Sequence, residues 1–246
     1  MENLKERKVG NLVAENYRYA DVFKKYDIDF CCNGGVTVLE ACKNKGLNYT
    51  QVISELQAIG NKEAAATDFK NWPLDKLADY IVDKHHTYVR EHLPLLIAYS
   101  DKVAKVHGDH YPETIEIKML VDRLSNDLMS HMDKEESILF PFIKKLLHAK
   151  SENTEMEQAH FGSVKNPVQM MLTEHDEAGN IFKSISFMTL RYTPPTDACT
   201  TFKVLYHKLQ EFETDLHKHI HLENNILFPA AINLEATLSD KDHISA

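Results

Sequence analysis

The stretch His131-Met132-Asp133-Lys134-Glu135-Glu136-Ser137-Ile138-Leu139-Phe140-Pro141 returns 88 residues later as His219-Ile220-His221-Leu222-Glu223-Asn224-Asn225-Ile226-Leu227-Phe228-Pro229. Each copy reads His-x-x-x-Glu followed by Leu-Phe-Pro. Residues four apart on a helix lie one above the other on one face. Each His and its Glu can therefore reach one point in space, which suits a metal ion. The repeat constrains the chain to a fold in which helices turn such faces inward.

The rest of the sequence supplies those helices. Only 8 Gly and 8 Pro occur among 246 residues, which favours a helical chain over a turn-rich β one. Residues 74–107, 113–148, 163–192 and 197–235 read as long helices. A turn at 107–112, a polar loop at 149–162 and the break Thr193-Pro194-Pro195-Thr196 separate them. Pro73 suits the first turn of the first helix. Short breaks make the first and second helices, and the third and fourth, antiparallel neighbours. The expected fold is all-α, a four-helix bundle in up-down-up-down order.

Apolar positions stepping by three and four mark the buried face of each helix. The first gives Val82, His86, Val89, Leu93, Leu96, and the second Ile117, Leu120, Leu124, Leu128, His131, Glu135, Ile138, Phe142. The third gives Val168, Met171, His175, Ala178, Phe182, Ile185. The fourth gives Phe202, Leu205, Leu209, Phe212, Leu216, His219, Glu223, Ile226, Ala230. Of 14 histidines, one therefore falls on each stripe, and two helices add a glutamate. Carboxylates are almost never fully buried unless paired or bound to metal. His–Glu pairs bonded to one another without metal would use the same residues. The four histidines lie at similar heights from the turns near 110 and 194, and the spacings 86 to 131 and 175 to 219 nearly match. A duplicated helical hairpin with a pseudo-twofold site explains both. Four imidazoles and two carboxylates are too many for one tetrahedral zinc. They suit two ions bridged by the carboxylates, and mixed imidazole and carboxylate ligation favours two irons. Ligand type alone leaves zinc and manganese open.

Residues 1–60 read as a small helical unit: one helix from Leu12 to Tyr26, a second capped by Thr37 and Glu40 and stopped at Gly46, and a third from Tyr49 capped by Thr50. The turn between the first two is Phe30-Cys31-Cys32-Asn33-Gly34-Gly35. About 60 residues make a marginal core, so this unit is expected to pack on something else. Residues 61–72 read as a linker, and 73–236 as the bundle. A net charge of -9 argues against a nucleic-acid partner. No run approaches the ~18 apolar residues of a membrane helix, so no membrane association is expected. The start, Met-Glu-Asn-Leu-Lys-Glu-Arg-Lys, lacks the apolar segment of a signal peptide, which makes the cytoplasm the default.

His86, His131-x-x-x-Glu135, His175 and His219-x-x-x-Glu223, with Leu-Phe-Pro after each pair, resemble the hemerythrin-like four-helix bundle. Tyr26-Asp27-Ile28-Asp29-Phe30-Cys31-Cys32-Asn33-Gly34-Gly35 resembles the small N-terminal domain of the iron–sulfur cluster repair di-iron proteins. Glu174-His175-Asp176-Glu177-Ala178-Gly179 is similar to the same family. The resemblance implies a cytoplasmic, often homodimeric, non-haem di-iron protein. Its partners would be iron–sulfur proteins damaged by oxidative or nitrosative stress, and small molecules such as nitric oxide or oxygen. Nitric oxide reduction and iron donation are both implied. A non-catalytic sensor or store of oxygen, nitric oxide or iron is the alternative.

Other residues carry weaker signals. Cys31 and Cys32 are adjacent, which strains a disulfide between them. They are redox or metal-passing candidates, with the Gly-Gly neighbours leaving the backbone open, or else two buried thiols at a turn. Cys42 and Cys199 read as packing residues. His85 could replace His86 if the register shifts by one. His217 and His221 should face away from the site, and Glu136 should be solvated. Glu174 could line an access route or accept a proton. Tyr88 reads as core or rim.

Overall fold

A computed structural model describes residues 4–60, 68–155 and 159–244. The linker expected at 61–72 falls largely outside the described residues. Its end does not hang free: Phe69–Asn71 forms a 3-10 turn, and Phe69 is buried against Trp72 and Tyr80.

The N-terminal unit holds four short helices. These are α1 (Val9–Glu15), α2 (Tyr19–Lys25), α3 (Val38–Asn44) and α4 (Tyr49–Gly60). The single helix expected from Leu12 to Tyr26 is two. Asn16 takes extended backbone, and its side-chain oxygen accepts from Arg18 N, so the side chain competes with the helical ladder. The Thr37–Glu40 capping box is formed, and Gly46 ends that turn with φ +65°. At α4 the side chain that caps is Asn48, not Thr50; Asn48 Oδ1 accepts from Thr50 N at 3.0 Å.

Four long helices follow. Helix α5 runs through Leu74–Tyr80, a π-helical turn Ile81–His86 and Thr87–His107. Helix α6 runs through Glu113–Lys134, a π turn Glu135–Leu139 and Phe140–Glu152. Helix α7 is Lys165–Met188. Helix α8 runs through Thr200–Leu222, a π turn Glu223–Leu227 and Phe228–Ile244. The helices pack in a ring, α5 on α6, α6 on α7, α7 on α8 and α8 on α5. Helix α7 stops at Met188, short of the expected 192. Leu190, Arg191 and Tyr192 take left-handed backbone there, and Thr189 Oγ1 accepts from Tyr192 N.

The π turns correct the stripes. A π turn holds one residue more than an α turn, so the buried positions beyond it shift by one. Ile138, expected inside, is 39% exposed, and Leu139 is buried instead. Ala231 replaces Ala230 in the core, and Ile81 replaces Val82. Two of the turns have a local cause. Pro141 and Pro229 lack the N–H that would bond the carbonyls of Ser137 and Asn225, and their rings would clash with those carbonyls in a regular helix. Widening the turn removes the clash.

The N-terminal unit shares one apolar core with the bundle: Val9, Leu12, Phe23 and Phe30 belong to the same cluster as Phe182, Phe212 and Ile220. Phe30 sits among Tyr17, His217 and His221. Glu213 of α8 faces this junction, near Lys24 and Asp27. Burial pushes its carboxyl up to about 7 from an ordinary 4.5, against the pull of Tyr192 and Lys24. The folded chain thus keeps a proton that the unfolded chain releases. Its contribution to stability is full below pH 4.5, falls as pH rises towards 7 and is level above. Glu213→Gln is expected to raise the melting temperature at pH 8 by a few degrees, at about 2–4 °C per kcal/mol for a chain of this size. At pH 4 the two proteins should melt together. A gap between them that does not widen from pH 4 to pH 8 would contradict this placement.

Candidate metal centre

The structure brings His86, His131, Glu135, His175, His219 and Glu223 together in the bundle core, each at most 2% exposed. They form two four-residue groups. His86, Glu135, His219 and Glu223 make one; His131, Glu135, His175 and Glu223 make the other. Within each group the donor atoms lie within 4.8 Å of one another, and both glutamates belong to both groups. The Nε2 atoms of His86 and His219 are 3.1 Å apart, and those of His131 and His175 are 3.0 Å apart. Glu135 Oε2 lies 3.4 Å from His86 Nε2 and 3.3 Å from His131 Nε2. Glu223 lies 3.2 Å from His175 Nε2 through Oε2 and 3.1 Å from His219 Nε2 through Oε1.

These residues fit a pair of cations. Both oxygens of Glu135 and Oε2 of Glu223 are buried without a well-formed hydrogen bond. Leaving buried carboxylate oxygens so is costly in a protein interior. Burial opposes ionisation, but His219 and His175 hold the Glu223 carboxyl well below the ordinary carboxylate range. Burial and Glu223 push Glu135 up, yet His131 and His86 outweigh them and lower it. Burial would likewise strip His131 of its proton, but Glu135, Glu174 and Glu223 push it up to about 10.

The Nδ1 atoms point outward, and their partners follow the pseudo-twofold. His86 Nδ1 donates to Glu136 at 2.7 Å, the residue after Glu135. His175 Nδ1 donates to Asn224 Oδ1 at 2.7 Å, the residue after Glu223. His131 Nδ1 donates to Glu174 at 2.8 Å, the residue before His175. His85, the residue before His86, takes the matching place beside His219 but stacks on its ring, 5.6 Å between centroids, held by Asp215 at 3.0 Å. His219 Nδ1 has no hydrogen-bond partner among the described residues. The His131/His175 half of the centre is therefore braced by a carboxylate of α7 and an amide of α8, the His86/His219 half by a carboxylate of α6 and a stacked imidazole of α5.

Some expectations change. His86 enters the cluster and His85 does not. Glu136 is not simply solvated: Arg90 and His86 hold it, and its side chain is 30% exposed. His217 and His221 do face away from the cluster, but towards the N-terminal unit, where His221 is buried and accepts from Asn225 Nδ2 at 3.1 Å. Cys199 is exposed, 3.1 Å from His107 Nε2, rather than packed in the core. Tyr88 is half-buried and stacks on His92. Glu174 also pairs with Lys134 and lines, with Asp127, Leu128 and Ile181, a cavity of about 130 Å³ that reaches His131 and His175.

Cys31 and Cys32 lie against this centre. Cys31 is buried and Cys32 half-buried. The Cys31 carbonyl accepts from Asn224 Nδ2 and Asn225 Nδ2, both at 3.3 Å. Cys32 Sγ is 3.6 Å from the His175 carbonyl. The Gly-Gly pair is only half open. Gly34 is pressed on Gly10, where a Cβ would lie 2.8 Å from the Gly10 Cα, while Gly35 faces open space. No sequence signal singled out Asn224, Asp215 or Arg90, because each acts on a residue of another helix: His175, His85 and Glu136.

Residues 77–231 match the hemerythrin HHE cation-binding domain, and residues 5–60 match ScdA_N, a domain of unknown function. The chain is thus a hemerythrin-class cation-binding bundle with an ScdA_N unit before it. A probable iron-sulfur cluster repair protein of Haemophilus influenzae is 36% identical over 231 residues, covering 93% of this chain and 97% of the relative. The iron-sulfur cluster repair protein YtfE of Escherichia coli O81 is 36% identical over 228 residues, with the same two coverages of 93% and 97%. The chain belongs to this family of iron–sulfur cluster repair proteins.

Removing an outer partner of a metal-binding histidine loosens it. Glu174→Ala and Glu136→Ala are each expected to weaken binding of a divalent metal by roughly 10–100-fold. Competition with a chromophoric chelator reads this directly. Unchanged affinity in both variants would refute the bracing role.

Proposed function

We propose that the chain restores iron–sulfur clusters damaged by oxidative or nitrosative stress, using two iron ions held by His86, His131, Glu135, His175, His219 and Glu223. The observation that carries the reading is the sharing of Glu135 and Glu223 between two groups of donors. Carboxylates common to both groups suit a bridged pair, and imidazole with carboxylate suits iron. The names of the relatives support the repair role. Bound iron would supply one-electron chemistry and an affinity for nitric oxide and oxygen.

The chain's own residues set the conditions for that chemistry. Glu136, Glu174 and Asn224 fix which imidazole nitrogen faces inward. The apolar core around the cluster keeps bulk water away. The cavity beside Glu174 is wide enough for a small molecule to approach the His131 and His175 side. Glu174, held down to about 2 by His131 and Lys134 in spite of its partial burial, is ionised there at neutral pH. Residues 1–60 and 73–236 act in this reading as two units of one cytoplasmic, homodimeric protein, with nitric oxide and damaged iron–sulfur proteins as its partners.

Metal analysis tests the ligand set. Glu223→Ala touches both groups and should lose both ions, whereas His219→Ala touches one group and should retain the other ion. Equal iron in wild type and both variants would refute the assignment. Repair is tested by mixing the iron-loaded protein and a reductant with an iron–sulfur enzyme inactivated by nitric oxide. Activity should return with wild type and not with Glu223→Ala. Reversible gas binding with no recovery would instead favour a sensor or store.

A further inference from the structure

We propose that Asp29, Cys31 and Cys32 form a second cation site, distinct from the His/Glu centre, for a thiophilic divalent ion such as zinc or ferrous iron. The two sulfur atoms lie 3.9 Å apart. A disulfide would need about 2.05 Å, and adjacent residues reach that only with strain. Two thiolates on one tetrahedral ion, with bonds of about 2.3 Å, stand about 3.8 Å apart. The pair already has that bite. Asp29 Oδ1 is 3.4 Å from Cys31 Sγ, and the three donors lie within 4.8 Å of one another.

The loop is built to keep that spacing. Asp29 Oδ1 accepts from the backbone N–H groups of Cys31, Cys32 and Asn33 at 3.2, 3.0 and 3.3 Å. Asn33 Nδ2 and Lys183 hold Oδ2 at 3.0 and 2.9 Å. Gly10 N donates to Gly34 O at 2.8 Å, closing the loop on α1. Binding exchanges two thiol protons for one divalent cation, so the local charge does not change. Ionised Asp29 remains balanced by Lys183, and two protons leave to solvent. Half-buried Cys32 gives the ion a way in, while buried Cys31 gives it a dry side. Through the Cys31 carbonyl and Asn224, the loop that carries the ion touches His175 of the other centre. The site itself does not depend on which metal that centre holds.

Cobalt(II) titration of the reduced, metal-free full chain tests the proposal, because thiolate ligation gives cobalt a near-ultraviolet charge-transfer band that imidazole and carboxylate do not. Wild type should take up one equivalent with that band, beyond the cobalt bound by the His/Glu centre. The double variant Cys31→Ser/Cys32→Ser should lose the band and that equivalent alone. Asp29→Asn should weaken the same equivalent about tenfold or more. Cys199→Ser should keep the band, since Cys199 and His107 lie elsewhere. No thiolate band in wild type, or a band that survives the double variant, would overturn the proposal. Failure of the His/Glu reading would appear separately, as loss of the band-free equivalents.

Discussion

Two buried carboxylates face each other in the centre of this bundle, and three of their four oxygens have no well-formed hydrogen bond among the described residues. An unpaired buried carboxylate costs several kcal/mol. Glu135 and Glu223 persist there because four imidazoles converge on them, one from each long helix. The packing order of the helices, the depth of each histidine and the shape of the helices near the site all serve that convergence. A bundle of the same length without it would place leucine at these positions.

The backbone bends to the same end. Three π turns occur among the described residues, and each begins or ends on a member of the cluster: His86, Glu135 and Glu223. Leu-Phe-Pro, which reads in the sequence as a mere companion of His-x-x-x-Glu, is the local device behind two of them. Proline cannot continue a tight helix. The widened turn then carries the extra residue that lets Glu135 and its neighbour Glu136 reach opposite nitrogens of His86, one inside the cluster and one outside. At Ile81–His86 no proline follows, and there the turn lets His85 and His86 both stay buried on different sides of α5.

Periodicity made the bundle and the cluster legible. Steps of three and four identify a buried face where the helix is regular, and on α7, which has no π turn, every such position from Val168 to Ile185 is buried. Periodicity misplaces Ile138, Val82 and Ala230, where a uniform 3.6-residue period runs through a π turn, and also Leu120, half-buried on a regular stretch beside fully buried Val121. Local hydrogen-bond competition was also hidden. Asn16 breaks one helix and Asn48 begins another, and a polar residue in a mixed sequence announces neither. The partners on other helices were the least legible, since Glu136 and Asp215 acquire meaning only when the fold sets a histidine beside them.

Asn224 shows how the two units are joined through such a partner. Its counterpart in the other half of the repeat is Glu136, which only accepts. An amide both accepts and donates. Asn224 Oδ1 accepts from His175 Nδ1, and its Nδ2 donates to the Cys31 carbonyl. A glutamate at 224 would set two acceptors against each other at that carbonyl. Asn225 repeats the donation to Phe30 and Cys31 while also serving His221. The two copies of the motif therefore diverge, Glu-Glu in one and Glu-Asn-Asn in the other, on the side where the cysteine loop docks. In the first copy Glu136 meets the Arg90 guanidinium at 2.8 Å instead, and a carboxylate suffices. The departure from exact internal symmetry is the chemical trace of a small unit resting on one half of the centre.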